Sequence, residues 1–131
     1  MQSEHIALID TLKASRAWVA AFNAGDARQC ADTYIETALM ETEPFGRFSG
    51  RDAIHAFWAD LVQQGATRLQ YHRPTLEAVD ENMVRLSADW SMNIGHGRIL
   101  RETWIREAGR WMIADDSFVL LGKTHPGQPL A

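Results

Sequence analysis

Cysteine is almost absent from this chain of 131 residues: Cys30 stands alone, which excludes an internal disulfide framework. It lies on the apolar side of its segment and reads as a buried, inert thiol, in keeping with a reducing compartment. Basic charge is also scarce. Lys and Arg number 13 against 17 Asp and Glu, for a net charge of -4. No basic stripe exists for a phosphate backbone, so nucleic acid is not an expected partner. No apolar run approaches the roughly 20 residues that span a bilayer. The opening Met-Gln-Ser-Glu-His carries neither the basic nor the apolar region of a leader, and the expected location is the cytoplasm. The five histidines have no ligand spacing, and no Gly-rich phosphate loop, nucleophile elbow or Cys/His dyad appears. Neither a metal nor a cofactor is expected.

What is present reads as one globular domain. Apolar residues make up 46% and charged residues 23%, which supports a core rather than disorder, and the length is too short for two ordinary domains. A single domain over residues 1–122 is expected, followed by a loose tail over 123–131 where Pro126, Gly127 and Pro129 cluster. Leu8, Leu12, Ser15, Val19 and Phe22 fall at helical spacing, so a first helix is expected over residues 3–23, ended by Gly25. Asp26 then caps a second helix that buries Ala27, Cys30, Ala31, Tyr34 and Ile35. A third helix opens at Ser49 and buries Ile54, Phe57, Trp58, Leu61 and Val62 before Gly65. Beyond Gly65 the period becomes two, which predicts strands over 67–79, 83–93, 98–106 and 110–121, joined by short turns. Pro74 demands a sheet edge or a bulge. Helices first and strands second give an α+β fold, in which a curved antiparallel sheet wraps around three N-terminal helices and leaves a cavity.

Residues 18–26, Trp-Val-Ala-Ala-Phe-Asn-Ala-Gly-Asp, followed by Glu43-Pro-Phe-Gly46, Ser49-Gly-Arg-Asp-Ala-Ile54 and Phe57-Trp58, resemble the opening of the nuclear transport factor 2-like superfamily. The resemblance is to its SnoaL-like and ketosteroid isomerase-like branch, and it implies a cone-shaped, cystatin-like fold with one deep pocket. It also implies site residues. Trp18 stands where the isomerases carry an oxyanion-hole tyrosine, Glu43 matches the proton-shuttling aspartate, Trp58 falls on a further pocket aromatic, and Tyr34 lies near the same pocket as a hydrogen-bond donor. Local physics points to Glu43 as well, since a carboxylate flanked by Pro44 and Phe45 and facing aromatic helices is expected to be partly desolvated, with its pKa raised toward neutrality; the other reading is a rim glutamate in ordinary solvent. The indoles of Trp18 and Trp58 read either as core packing or as donors to an oxyanion.

The late strands hold the remaining candidates. The second acid of the isomerases falls on Arg101 without a gap and on Glu102 with one, and these two residues point to opposite faces. An inward Arg101 suits an anionic ligand. Trp90 belongs to the apolar face of its strand, with Asp89 opposite, and Asp115 shares the face of Trp111 and Ile113 and is expected to reach the cavity. Two readings of function lead: a cofactor-independent isomerase, cyclase or dehydratase that moves a proton next to a carbonyl, and a binding module without chemistry. In both, the partner is a small apolar or aromatic ligand. A third, a protein-binding module using the outer face of the sheet, is disfavoured by that face's mostly polar character. A homodimer through the convex face is expected, because Trp104 or its neighbours would otherwise be exposed.

Overall fold

A computed structural model describes residues 2–123 of the chain. Helix α1 (Gln2–Asn23) turns Ala7, Thr11, Ser15, Trp18, Ala21 and Phe22 into the core; of the expected stripe Ser15 and Phe22 are buried, while Leu8, Leu12 and Val19 flank it half-buried. Gly25 at φ 77° ends it. Asp26 caps α2 (Ala27–Asp32), its Oδ1 accepting the Gln29 N–H at 3.0 Å. Asp26→Ala is expected to cost about 1 kcal/mol in chemical denaturation, with no change in ligand preference. A change in preference at unchanged stability would place Asp26 in the binding site instead.

Helix α2 is shorter than its sequence suggests, because Tyr34 and Ile35 open strand β1 (Tyr34–Glu43). Tertiary bonds override the helical pattern here. The Ile113 N–H donates to the Thr33 carbonyl at 2.8 Å, and the Arg51 guanidinium donates twice to the Tyr34 carbonyl, at 2.9 and 2.7 Å. Ser49 likewise changes role. It ends a short strand β2 (Gly46–Ser49), pairs with Leu39, and leaves Gly50 at φ 89° to start α3 (Arg51–Gln63).

Four longer strands follow: β3 (Gln70–Asp80), β4 (Met83–Met92), β5 (Gly95–Glu107) and β6 (Arg110–Lys123). With β1 and β2 they form one curved, unclosed sheet in the order β2-β1-β6-β5-β4-β3. The α+β architecture is the expected one, with a mixed sheet: β1 runs parallel to β6, and every other pair is antiparallel. Pro74 meets both of its conditions, sitting on the edge strand β3 where the register shifts between His72 and Thr75. Strand β6 runs through Lys123, one residue past the expected domain end, and the rest of the expected tail lies outside the described residues. No helix among the described residues is long and apolar enough to cross a membrane.

The helices lock together through Trp18 and Cys30. The Trp18 indole N–H donates to the Cys30 carbonyl at 3.1 Å, and burial pushes the Cys30 thiol up to about 12. At the other end of α1, Asn23 exchanges two hydrogen bonds with the backbone of Leu69, at 3.1 and 2.7 Å, stitching the helix to the entry of β3.

Candidate active site

Two extra residues set the floor of the cavity. On β5, Ile99 pairs with Phe118 and Arg101 with Ser117, so Leu100 is unmatched and stands 53% exposed. On β6, Ile113 pairs with Trp104 and Asp115 with Thr103, so Ala114 is unmatched. Each is a β-bulge, which shifts the in-and-out alternation by one position. Inward-facing positions therefore resume at Glu102 and Trp104 on β5 and at Asp116 and Phe118 on β6. Glu102 and Asp116 are direct cross-strand partners, only 3% and 4% exposed.

Each acid is held by its neighbours. Glu102 accepts the Trp104 indole N–H at 2.8 Å and the Tyr71 phenol O–H at 2.9 Å, one on each carboxylate oxygen. Asp116 accepts the Tyr34 phenol O–H at 2.7 Å on Oδ2, and its Oδ1 is buried with no partner. Burial pushes the Glu102 carboxyl from the usual 4.5 up to about 7, against the stabilising bonds from Trp104 and Tyr71. Burial and then the charge of Glu102 raise Asp116 well above the ordinary aspartate range. The same burial, with the adjacent carboxylates, raises Tyr34 and Tyr71, so both phenols keep their protons and act as donors.

Above this floor lies a cavity of about 300 Å³, whose lining includes Trp18, Trp58, Tyr71, Trp90, Glu102, Asp116 and Phe118, with Phe45, Gln64 and Lys123 also on it. Its wall is aromatic. Trp58 stacks on Phe118 at 5.7 Å and meets Trp18 edge-on at 5.0 Å, while Phe45 caps Phe57 at 5.7 Å. Since an apolar cavity of about 150 Å³ holds one benzene, this volume suits a ligand of one or two rings. Gly97 lets Trp90 lie close against the sheet: a Cβ there would meet the Val119 carbonyl and sit 2.6 Å from the Trp90 ring. Gly97→Ala is expected to displace Trp90 from the wall and cost about 2 kcal/mol or more. Denaturation followed by tryptophan fluorescence reads both effects.

The family model of the SnoaL-like domain matches residues 15–120, most of the chain. The chain belongs to the SnoaL-like family. Its solved neighbours agree in fold at low identity. A Novosphingobium aromaticivorans protein provisionally named as a scytalone dehydratase is 11% identical, covers 99% of both chains and superposes with a TM-score of 0.79. Aln2 from a Streptomyces species is 17% identical over 86% of this chain and 89% of its own, with a TM-score of 0.77. A Catenulispora acidiphila protein in complex with S-DNPA is 15% identical over 86% and 92%, with a TM-score of 0.71. No curated protein matches the sequence.

The SnoaL-like chain brings together Trp18, Phe45, Trp58 and Trp90 of the residues singled out from sequence, all on the cavity lining. Tyr34 joins them from beneath through its bond to Asp116. Glu43 lies apart: β1 alternates, Thr42 faces inward, and Glu43 is exposed at the strand end and off the lining. Arg101 and Asp115 are placed outside as well, where the Arg101 Nε–H donates to Asp115 Oδ1 at 2.9 Å and the Thr103 hydroxyl reaches the same oxygen at 2.8 Å. The Trp18 N–H is committed to Cys30, so it has nothing left for a ligand, whereas the N–H of Trp58 and of Trp90 is buried without a partner. Trp104, whose exposure was the reason to expect pairing through the convex face, is fully buried.

Sequence reasoning missed Asp116 and Tyr71. The signal for Asp116 was two adjacent acids, since consecutive strand residues point to opposite faces and one of Asp115 and Asp116 must face inward.

Proposed function

We propose that this SnoaL-like chain binds a small apolar or aromatic carbonyl compound and moves a proton next to the carbonyl, with Glu102 and Asp116 as the proton-transfer pair. The single observation that carries this reading is two buried carboxyls, paired across β5 and β6, at the floor of an otherwise aromatic cavity. Such a place disfavours charge, and a carboxyl raised to about 7 is matched to proton transfer near neutrality. Hydrophobic walls hold the rings of a ligand while the floor supplies the polar chemistry. Isomerisation, aldol-type cyclisation and dehydration all share this step, and the neighbour carrying S-DNPA supports a ligand in this fold. The pair takes the role that the isomerase resemblance gives to Glu43.

Proton exchange tests the reading before any product is known. Cyclic and aryl ketones that raise the melting temperature are incubated with the protein in deuterated buffer, and loss of the α-proton signal is followed by nuclear magnetic resonance. Catalysed exchange is the expected result. Ligands that bind tightly yet exchange no faster than in buffer would make the chain a binding module. A cytoplasmic location and a homodimer through the convex face remain part of the proposal. The exposed Leu100 on that face gives pairing an apolar contact, and a monomer in light scattering would remove it.

A further inference from the structure

One atom of the pair has no protein partner. Asp116 Oδ1 is sealed from solvent and meets no donor among the described residues. A charged oxygen so placed carries a large desolvation penalty, and a proton on it removes that penalty if an acceptor stands nearby. Glu102 is that acceptor by position. The two residues are directly opposite on β5 and β6, where Cβ atoms are about 4.5–5.5 Å apart, and the charge of Glu102 acts on Asp116.

We propose that Glu102 and Asp116 hold one proton between them at neutral pH, carried on Asp116 Oδ1 and donated to the Glu102 carboxylate. This rests on the reading of the pair as the proton-transfer centre and assigns the two roles within it. The asymmetry of donors decides the direction. Glu102 receives both the Trp104 N–H and the Tyr71 O–H, whereas Asp116 receives the Tyr34 O–H alone. Negative charge settles where the donors are, so Glu102 is the ionised partner. This reverses the assignment from the isomerase resemblance, in which the late-strand position that one gap puts on Glu102 is the protonated acid.

Few other charges lie near the pair: Asp115 adds to the rise of Asp116, and Lys123 is on the same cavity lining. Tyr34 faces the pair from β1, Tyr71 from β3 and Trp104 from β5, all as neutral donors, and the Cys30 thiol of α2 is neutral. Asp115, next along β6, is tied to Arg101. None of the ion pairs among the described residues includes Glu102 or Asp116.

The chemical step balances on this pair. The Glu102 carboxylate takes the α-proton of a bound ketone, the C–H electrons form the enolate, and Glu102 returns the proton to the same or a conjugated carbon. Asp116 stays neutral throughout, so no second charge builds beside the base. Asp116 is thereby a positioning residue for Glu102, as is Tyr71.

Infrared spectroscopy of the whole chain with isotope-labelled aspartate or glutamate tests the assignment. A protonated-carboxyl stretch at neutral pH that shifts with labelled aspartate, and vanishes in Asp116→Asn, is expected. Tyr71→Phe removes one donor from Glu102 and is expected to move part of that intensity to the labelled-glutamate position, a change that mere loosening of the fold would not produce. A stretch that shifts only with labelled glutamate, or none at neutral pH, overturns the proposal. Should Asp116→Asn fail to fold, the two labels in the unaltered protein decide alone. The spectrum does not depend on turnover: a shared proton without catalysed exchange sinks the proton-transfer reading and keeps this one, and the opposite result does the reverse.

Discussion

Glu102→Gln is expected to lower the rate of α-proton exchange by about 10²–10⁴-fold while ligand binding changes little, because the amide keeps the shape of the acid and cannot accept a proton. The variant should still fold. Its side chain occupies the same volume, the Trp104 N–H retains the amide oxygen as acceptor, and the buried charge is gone. Glu43→Gln is the matched comparison. Glu43 is exposed at the end of β1, away from the lining, so its variant should exchange at close to the parent rate. If Glu43→Gln abolished exchange and Glu102→Gln did not, the family-matched position would be the base and the buried pair would be structural.

The second large effect is on stability against pH. The Glu102 carboxyl ionises at about 7 in the fold and at its usual 4.5 in the unfolded chain. Between these values the folded state keeps a proton that the unfolded state has released, so stability is full below 4.5 and is lost as pH rises through about 7. The difference corresponds to about 3 kcal/mol. Asp116, also raised by burial and by the charge of Glu102, adds to the same loss as pH rises above its ordinary aspartate range. Asp89 works the opposite way, since hydrogen bonds from Arg73 and Arg98 lower its carboxyl, and its exposed position makes that contribution weak. Urea denaturation across this window should show the parent protein losing stability with rising pH, and Glu102→Gln losing it less steeply, with the Asp116 contribution remaining. The variant would then be the more stable protein above neutrality. Parallel pH curves for the two proteins would mean that Glu102 is not buried as an acid. If the proposed function holds, a buried acidic pair that weakens the fold as pH rises is stability given up for reactivity at the cavity floor.

The helices and the aromatic wall were legible because they depend on local spacing. Trp18 and Trp58 fall on helical faces that must turn inward, and Trp90 follows from an uninterrupted alternation in β4. The acids were harder. Parity along β5 left Arg101 and Glu102 undecided, and parity along β6 pointed to Asp115, because Leu100 and Ala114 are extra residues that no hydropathy pattern announces. Tyr34 changed element for a related reason. Its helical position was overridden by hydrogen bonds from Arg51 and Ile113, which are remote in sequence. In each case, contacts between distant segments decided what a short window could not.

The two bulges also bear on how such chains diverge. An unmatched residue is one that a lineage gains or loses without turning its neighbours over: remove Leu100 and Ile99 still faces inward, Arg101 outward and Glu102 inward. The same holds for Ala114, between Ile113 and the two acids that follow it. Homologues that differ by one codon at either place would present the same pair of carboxyls to the cavity while every later residue carried a shifted number. Descent in this family is then better traced by which face a residue occupies than by its count along the chain.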